Sequence, residues 1–324
     1  MTRRIAVAWL SLMVAAFGLS IPTAATAQDQ RGLHIIAPLA PGSTFDLLAR
    51  ALGTRLEQRM HQTVVVENRP GANMSIAANA CKNAAPDGHT ICLFTHNLFL
   101  NPLLKANLGY DPVKDLVPVA ALAYLEQVFV VNRRVPVKTF AELVAYSKAH
   151  PNTLNYGSVG VGSAAHLVIE WLRKASGGDW KHVPFNGAPQ VQTAMASGDV
   201  HMTFTPSGNV IGRIKSGDLV PLLTAGDKRN PLLPDVPTFA EAGLPSLPAK
   251  SWAGMFAPVG TPAAVVAKLN HEFSEIIAEK AFQERLTKLG LGPAPMQLAA
   301  FKTFIVHDQA AWAPLIKETG LAPK

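Results

Sequence analysis

The stretch that decides the reading is GSVGVGSAAHL, residues 157–167. An apolar run with Leu154 and Tyr156 precedes it, and a segment with helical spacing (His166, Leu167, Glu170, Trp171) follows it. Three glycines at a strand-to-helix junction let the backbone turn tightly and aim N–H groups at an anion. That anion could be a dinucleotide, a phosphate or a carboxylate. The run GVGSAA (160–165) formally fits G-x-G-x-x-A, but a dinucleotide site also needs an acidic residue at the end of the next strand. Here that strand, KHVPF (181–185), ends in Phe185 and Asn186, and Asp179 comes before it. A Walker loop needs Lys-Ser/Thr after its second glycine, which is missing. A nucleophile elbow fails because Tyr156 stands where its first glycine belongs. The carboxylate reading survives, with Ser158 and Ser163 as hydroxyl donors at a positive helix start. A purely structural reading stands beside it: Ser163 caps its helix and the glycines turn the chain.

A second junction adds weight to the first reading. PLAPGSTFD (38–46) also joins a strand to a helix through glycine and hydroxyls. Ser43 and Asp46 have the spacing of a capping box, so Asp46 is expected to serve backbone donors rather than a ligand. Two helix starts of this kind, facing each other across a cleft, would form a two-sided anion clamp.

The rest of the chain alternates strands with helices. Strands are expected at 33–37, 63–68, 90–95, 126–132, 181–185, 200–205 and 219–225, with another at TLNYG before the glycine loop and a late one at SWAGMFAP. Helices are expected at 46–60, 73–84, 139–150, after the glycine loop and between the strands at 181–185, 200–205 and 219–225, and three more close the chain at 262–279, 281–289 and 297–319. Repeated β-α-β of this kind gives an α/β fold of mostly parallel sheets flanked by helices. No repeat of fixed period is present. Thr95, His96 and Asn97 read as a loop at a strand's carboxyl end, where open α/β sheets bind ligands. A lone histidine there is equally a packing or capping residue.

Residues 1–27 read as a secretory signal. Arg3 and Arg4 precede an apolar core at 5–19, Pro22 interrupts, and Ala25-Thr26-Ala27 offers small residues for cleavage. The core is short for a span, which needs roughly 20 residues, and no cysteine marks a lipid anchor. Export takes the mature chain out of the cytoplasm. Of 29 lysines and arginines, Arg3 and Arg4 leave with the signal, so 27 basic face 22 acidic residues. They are scattered, which suits a mild attraction for small anions and not a nucleic-acid arm. Cys81 and Cys92 lie close together in an oxidising compartment and are expected to form a disulfide, worth roughly 3 kcal/mol in the chain-entropy model. A metal or redox pair would need CxxC spacing or a matching histidine, and no metal or cofactor is expected.

At this point the sequence resembles a known family. APLAPGSTFDLLAR (37–50) is similar to the opening PFxPGGxxDxxAR of the Bug family of periplasmic receptors, associated with tripartite tricarboxylate transporters. VVVENRPGANMSIAA, AAPDGHTI, NPLL, YDPVKDLVPVA, LNYGSVGVGSAAHL, LLPDVPTFAEAGLP and FAPVGTPAAVVAKLN follow in the family's order over essentially the whole mature chain. The resemblance implies a two-lobe, type II periplasmic-binding-protein architecture in which the chain crosses twice between lobes. Lobe 1 would comprise 28–127 and 250–324, and lobe 2 would comprise 128–249. It implies a small organic carboxylate between the lobes, touching Pro41, Gly42, Ser43 and Thr44 on one side and Ser158, Val161, Gly162 and Ser163 on the other. It also implies a monomer serving the membrane subunits of a tripartite transporter, or a sensing partner. His96, Asn97, His166 and Thr205 complete the candidate set.

Three departures qualify the resemblance. Ser43 replaces the second glycine of PGG. The cysteine pair belongs to only part of the family. Thr205 stands where many relatives carry Asp, so a ligand ammonium would lose its partner, and dicarboxylates or aromatic carboxylates are expected over amino acids. The rival class is a secreted α/β hydrolase, which needs a nucleophile and a base. Ser163 and His166, three residues apart on one helix, are the pair it would use.

Overall fold

The computed structural model describes residues 31–244 and 251–322. The signal segment 1–27 and the lobe crossing near 249–250 therefore lie outside the described residues.

The first block is built as expected: β1 (Leu33–Ala37), α1 (Thr44–Met60), β2 (Val64–Asn68), α2 (Ser75–Lys82) and β3 (Thr90–Thr95). Ser43 caps α1 by accepting from the Asp46 amide at 3.3 Å, and His61, in the left-handed region at φ 53°, ends it. The helix expected at 73–84 begins later, at Ser75. Ala72, Asn73 and Met74 all have positive φ (46°, 48° and 71°), so the chain makes a 3-10 turn first. Asn101 holds that turn through a bond from Nδ2 to the Asn73 carbonyl at 2.9 Å, and Asn73 Nδ2 returns one to Asn101 Oδ1 at 2.7 Å. Cys81 on α2 and Cys92 on β3 are joined in a disulfide.

Three elements fall where the sequence pattern assigns none, one of them the short strand Leu291–Pro293. Thr95 to Asn97 is not a loop: Thr95 caps α3 (His96–Leu104), its hydroxyl accepting from the Asn97 amide at 3.3 Å. β4 (Leu116–Leu125) is the longest strand, yet its sequence LVPVAALAYL is rich in alanine and carries Pro118, both weak strand signals. Irregular register against its neighbour accommodates that proline.

The second block runs β5 (Gln127–Asn132), α4 (Phe140–Ala149), β6 (Asn155–Ser158), α5 (Ala164–Ser176), β7 (Lys181–Pro184), α6 (Ala188–Ser197), β8 (Met202–Pro206), α7 (Ile211–Lys215) and β9 (Leu219–Thr224). The chain returns through β10 (Trp252–Pro258), α8 (Ala263–Ala278), α9 (Lys280–Lys288), β11 (Leu291–Pro293) and α10 (Leu298–Thr319).

Two sheets result among the described residues. One has the order β11-β4-β10-β3-β1-β2 and the other β7-β6-β8-β5-β9. In the first, β10 runs antiparallel to both β3 and β4; in the second, β5 runs antiparallel to both β8 and β9. Most strands in each sheet therefore point one way, but the ladders are mixed, because a returning strand is threaded into each. Each sheet has its own core. Ile35, Leu48, Phe94, Phe256 and Phe273 pack in the first lobe, and Phe129, Leu143, Leu167 and Leu222 in the second. α10 serves both: Phe301 and Ile305 enter the first core, while Trp312, Leu315 and Ile316 enter the second. Among the described residues no helix is long and apolar enough to cross a membrane.

Candidate functional site

The helices that follow β1, β3, β6 and β7 all begin at the carboxyl ends of their strands, the side where α/β sheets hold ligands. Between the lobes these beginnings meet around one partly open cavity of about 50 Å³. Its wall includes Ser43 and Phe45 from the start of α1, His96 and Asn97 from α3, Ala164 and Ala165 from α5, and Ala188 and Val191 from α6. Leu125, Gln127, Val159, Thr203, Phe204, Thr205, Pro206 and Asn209 complete much of it. The first-turn amides of a helix lack intrahelical acceptors and carry the positive end of its dipole. Four such starts thus favour negative charge in this cavity, and among the described residues no Lys, Arg, Asp or Glu lines it. The sequence reading anticipated two of the four. The start of α3 was hidden in an apparent loop, and that of α6 was signalled only by Gly187-Ala188-Pro189, a proline placed at the first helical turn.

The α1 and α5 starts share one geometry. Gly42 and Gly162 have φ of 79° and 81°, and each donates its amide four residues on, to Asp46 Oδ2 at 2.9 Å and to His166 Nδ1 at 3.0 Å. Ser43 and Ser163 cap their helices with nearly equal backbone angles. Burial works against the Asp46 carboxylate, but bonds from Arg50, Gly42 and Asn68 outweigh it and hold its pKa below the usual range. Asp46 is thus a structural acceptor, as its capping-box spacing implies.

His166 accepts through Nδ1 and is therefore neutral, and burial lowers its pKa. Its ring stacks on His182 at 3.9 Å with 12° between planes, and Tyr156 stacks on His182 at 4.9 Å. His182 Nε2 lies 2.6 Å from Ser158 Oγ, which donates to the Gly160 carbonyl at 2.9 Å. Burial, then the neighbouring His166, pushes the His182 pKa down to about 4. Tyr156 donates to Glu170 at 2.7 Å, and Arg173 binds that carboxylate at 2.8 Å. The glycine loop thus rests on a column of neutral rings.

The structure sorts the candidate residues into four places. Ser43, His96, Asn97 and Thr205 line the cavity. Val161, 64% exposed, and Gly162 line a larger outer pocket of about 520 Å³, with Asn73, Asn101, Lys105 and Asn186. Ser158, Ser163 and His166 are buried behind the loop, where they brace it. Pro41 and Gly42 are exposed and outside the cavity wall, since the Gly42 amide is engaged by Asp46. Thr44 ties the lobes together, donating to Asn209 Oδ1 at 2.7 Å across the cleft. A second tie joins the Ala164 amide to Asn97 Oδ1 at 3.0 Å. Asn209 in turn donates to Thr205 Oγ1 at 2.9 Å. The hydrolase pair does not assemble: Ser163 Oγ donates to the Gly160 carbonyl at 2.8 Å, and the His166 ring faces Gly162 and His182.

Two α/β lobes touching over a cavity walled by helix starts define a clamp-type solute-binding protein. The comparisons with known proteins agree. Residues 48–321 match the model of the tripartite tricarboxylate transporter family receptor, and the chain belongs to that family. It is 30% identical to protein BugT of Bordetella pertussis over 322 residues, covering 99% of this chain and 98% of BugT. Among solved structures, R. palustris Rpa4515 with adipate superposes with a TM-score of 0.87 at 30% identity, covering 91% of this chain and 99% of that one. MatC from Rhodopseudomonas palustris with bound malate gives 0.83 at 29% identity, covering 88% and 99%.

Proposed function

We propose that this receptor captures a short-chain dicarboxylate in the periplasm by closing its two lobes over it, and presents it to the membrane subunits of a tripartite transporter. The observation that carries this reading is the convergence of four helix starts from both lobes on one cavity. An anion there is held by amides and dipoles, each start contributing about 0.3–2 kcal/mol, with charge-assisted hydrogen bonds of about 1.5–3 kcal/mol each. Three or four such bonds, less the cost of association, suffice for micromolar affinity of roughly −8 kcal/mol.

Amino acids are disfavoured because Thr205 offers an ammonium no charge. The adipate of Rpa4515 and the malate of MatC support the dicarboxylate class. On this reading the set Ser43, His96, Asn97 and Thr205 touches the ligand, Thr44 and Gly162 report closure, and Ser158, Ser163, Val161 and His166 shape the loop. Residues 28–127 and 250–324 form one lobe and 128–249 the other, the protein acts as a monomer, and the leader is removed near Ala27.

Calorimetric titration of the purified receptor with succinate, glutarate, adipate, benzoate and aspartate tests the reading. Micromolar binding of at least one aliphatic diacid, recovered unchanged, supports it. Absence of binding to every acid, or conversion of a bound one, sinks it.

A further inference from the structure

Most polar groups lining the cavity are already committed to the fold. Ser43 Oγ accepts from the Asp46 amide, Asn97 Oδ1 from the Ala164 amide, and Asn209 Oδ1 from Thr44. Thr205 Oγ1 accepts from Asn209, and Thr203 donates to the Gly157 carbonyl at 2.8 Å. Two side chains differ. Gln127 is 4% exposed and its Oε1 has no hydrogen-bond partner; His96 is fully buried and its Nδ1 has none. Both line the same small cavity.

Their positions are fixed. Gln127 opens β5, where the chain passes from one lobe to the other, and its carbonyl accepts from the Ala225 amide at 2.9 Å. His96 stacks on Trp312 at 5.3 Å, and its Nε2 lies 3.3 Å from Ser251 Oγ. Burial drives its pKa down to about 3, so the ring is neutral. A buried polar atom without a partner is costly, and a ligand group that supplies the partner recovers that cost.

We infer that Gln127 and His96 read a hydroxyl on the bound carboxylate, so that the ligand is a hydroxy-dicarboxylic acid and not its unsubstituted or amino counterpart. The inference rests on the carboxylate-receptor reading and refines it. A hydroxyl both donates and accepts, so it satisfies the amide oxygen by donating and a ring Nδ1–H by accepting, in the tautomer whose Nε2 accepts from Ser251. A methylene would leave both atoms unpaired. An ammonium would enter a cavity with no acidic residue and four positive helix ends, and would be rejected on charge. A site built around a hydroxyl discriminates strongly against the analogue lacking it.

The test uses pairs of acids that differ by one hydroxyl: malate against succinate, and 2-hydroxyglutarate against glutarate, with aspartate as the amino control. Titrations use the mature receptor stripped of copurified solute by unfolding and refolding, and the variant Gln127→Met. The hydroxy acid of at least one pair should bind ten times or more tightly than its partner. Gln127→Met should erase that preference, weakening the hydroxy acid about tenfold and the plain acid less than twofold, with an unchanged melting temperature for the ligand-free protein. Equal binding within both pairs, or equal weakening of both members by Gln127→Met, overturns the inference and leaves the receptor reading standing. Binding of no acid at all overturns both.

Discussion

The two glycine-serine turns of this receptor are the same device finished with different chemistry. Gly42-Ser43 and Gly162-Ser163 share backbone angles, serine caps and an acceptor four residues on. In the first lobe that acceptor is the Asp46 carboxylate, tied also to Asn68 at 2.9 Å and Arg50 at 3.0 Å. In the second it is the neutral ring of His166, stacked on His182. A fixed negative charge behind a turn locks it but offsets some of its pull on an anion. A neutral ring leaves the whole pull of the helix start available, at the expense of a weaker lock. The first lobe therefore supplies rigidity and the second supplies attraction, and the latter alone is sensitive to mild acid.

Removing the two acceptors should have the largest consequence. Asp46→Ala removes at once the buried acceptor of the Gly42 amide, of Asn68 Nδ2 and of the Arg50 guanidinium, and should cost about 3 kcal/mol of folding stability. His166→Ala should cost about half as much, roughly 1.5 kcal/mol. Urea unfolding at pH 7 compares them, and equal losses would erase the distinction between the turns.

Acid should separate the turns next. His166 and His182 have folded pKa values below their unfolded ones, so the unfolded chain takes up protons first and stability falls as pH drops from about 6.5 toward 4. Asp46, also depressed, keeps its contribution until the pH passes below the ordinary aspartate value of 3.8. Hydrogen exchange at pH 7 and pH 5 should show α5 loosening by about 2 kcal/mol while α1 is unchanged. Equal loosening of both helices contradicts the assignment.

Asp308 complicates that measurement in a useful way. Burial raises its pKa to about 7, against the opposing pull of the Trp252 and Trp312 indoles. The folded state therefore binds a proton that the unfolded state releases, and stability from this group falls as pH rises from about 4 to 7. It masks part of the histidine effect. Asp308→Asn should stabilise the protein by about 1–2 kcal/mol at pH 8 and steepen the loss between pH 6.5 and 4. An unchanged pH profile in thermal denaturation would show that this carboxyl titrates normally.

The smallest effect distinguishes closure from folding. Alanine at either turn glycine adds a strained positive φ worth about 1 kcal/mol. At Gly42 the new methyl meets nothing within 4 Å, whereas at Gly162 it comes within 2.7 Å of Leu104 Cδ1 on the facing lobe. Gly162→Ala should thus weaken dicarboxylate binding about tenfold while Gly42→Ala leaves it within twofold. Matched affinities would mean that the lobes bind without meeting there.

How much of this was legible follows from how local each signal is. The helix starts at Ser43 and Ser163 could be read because a cap and its glycine lie within five residues of each other. The α/β class followed from alternation and the disulfide from compartment and spacing, whereas the two lobes followed only from the resemblance carried by the ordered motifs. β4 escaped because its alanines and Pro118 are tolerated only by its place between β10 and β11. The delayed start of α2 escaped because Asn101, 28 residues on, holds Asn73 in the left-handed region. Gln127 could not be singled out at all. Its interest comes from a missing partner, and that is a property of the assembled cavity. Ser158 and Ser163 were legible as neighbours of the glycine loop, but not the bonds by which both hydroxyls donate to the Gly160 carbonyl, which depend on how the loop folds back.

α10 sets a limit on how the jaws can gape. At 22 residues it is a rod of about 33 Å, seated by one half in each hydrophobic interior. A swing wide enough to release solute must flex this beam or pry its far half loose. The weak point is its middle stretch, between Asp308 and Pro314, where the proline removes one rung of the backbone ladder.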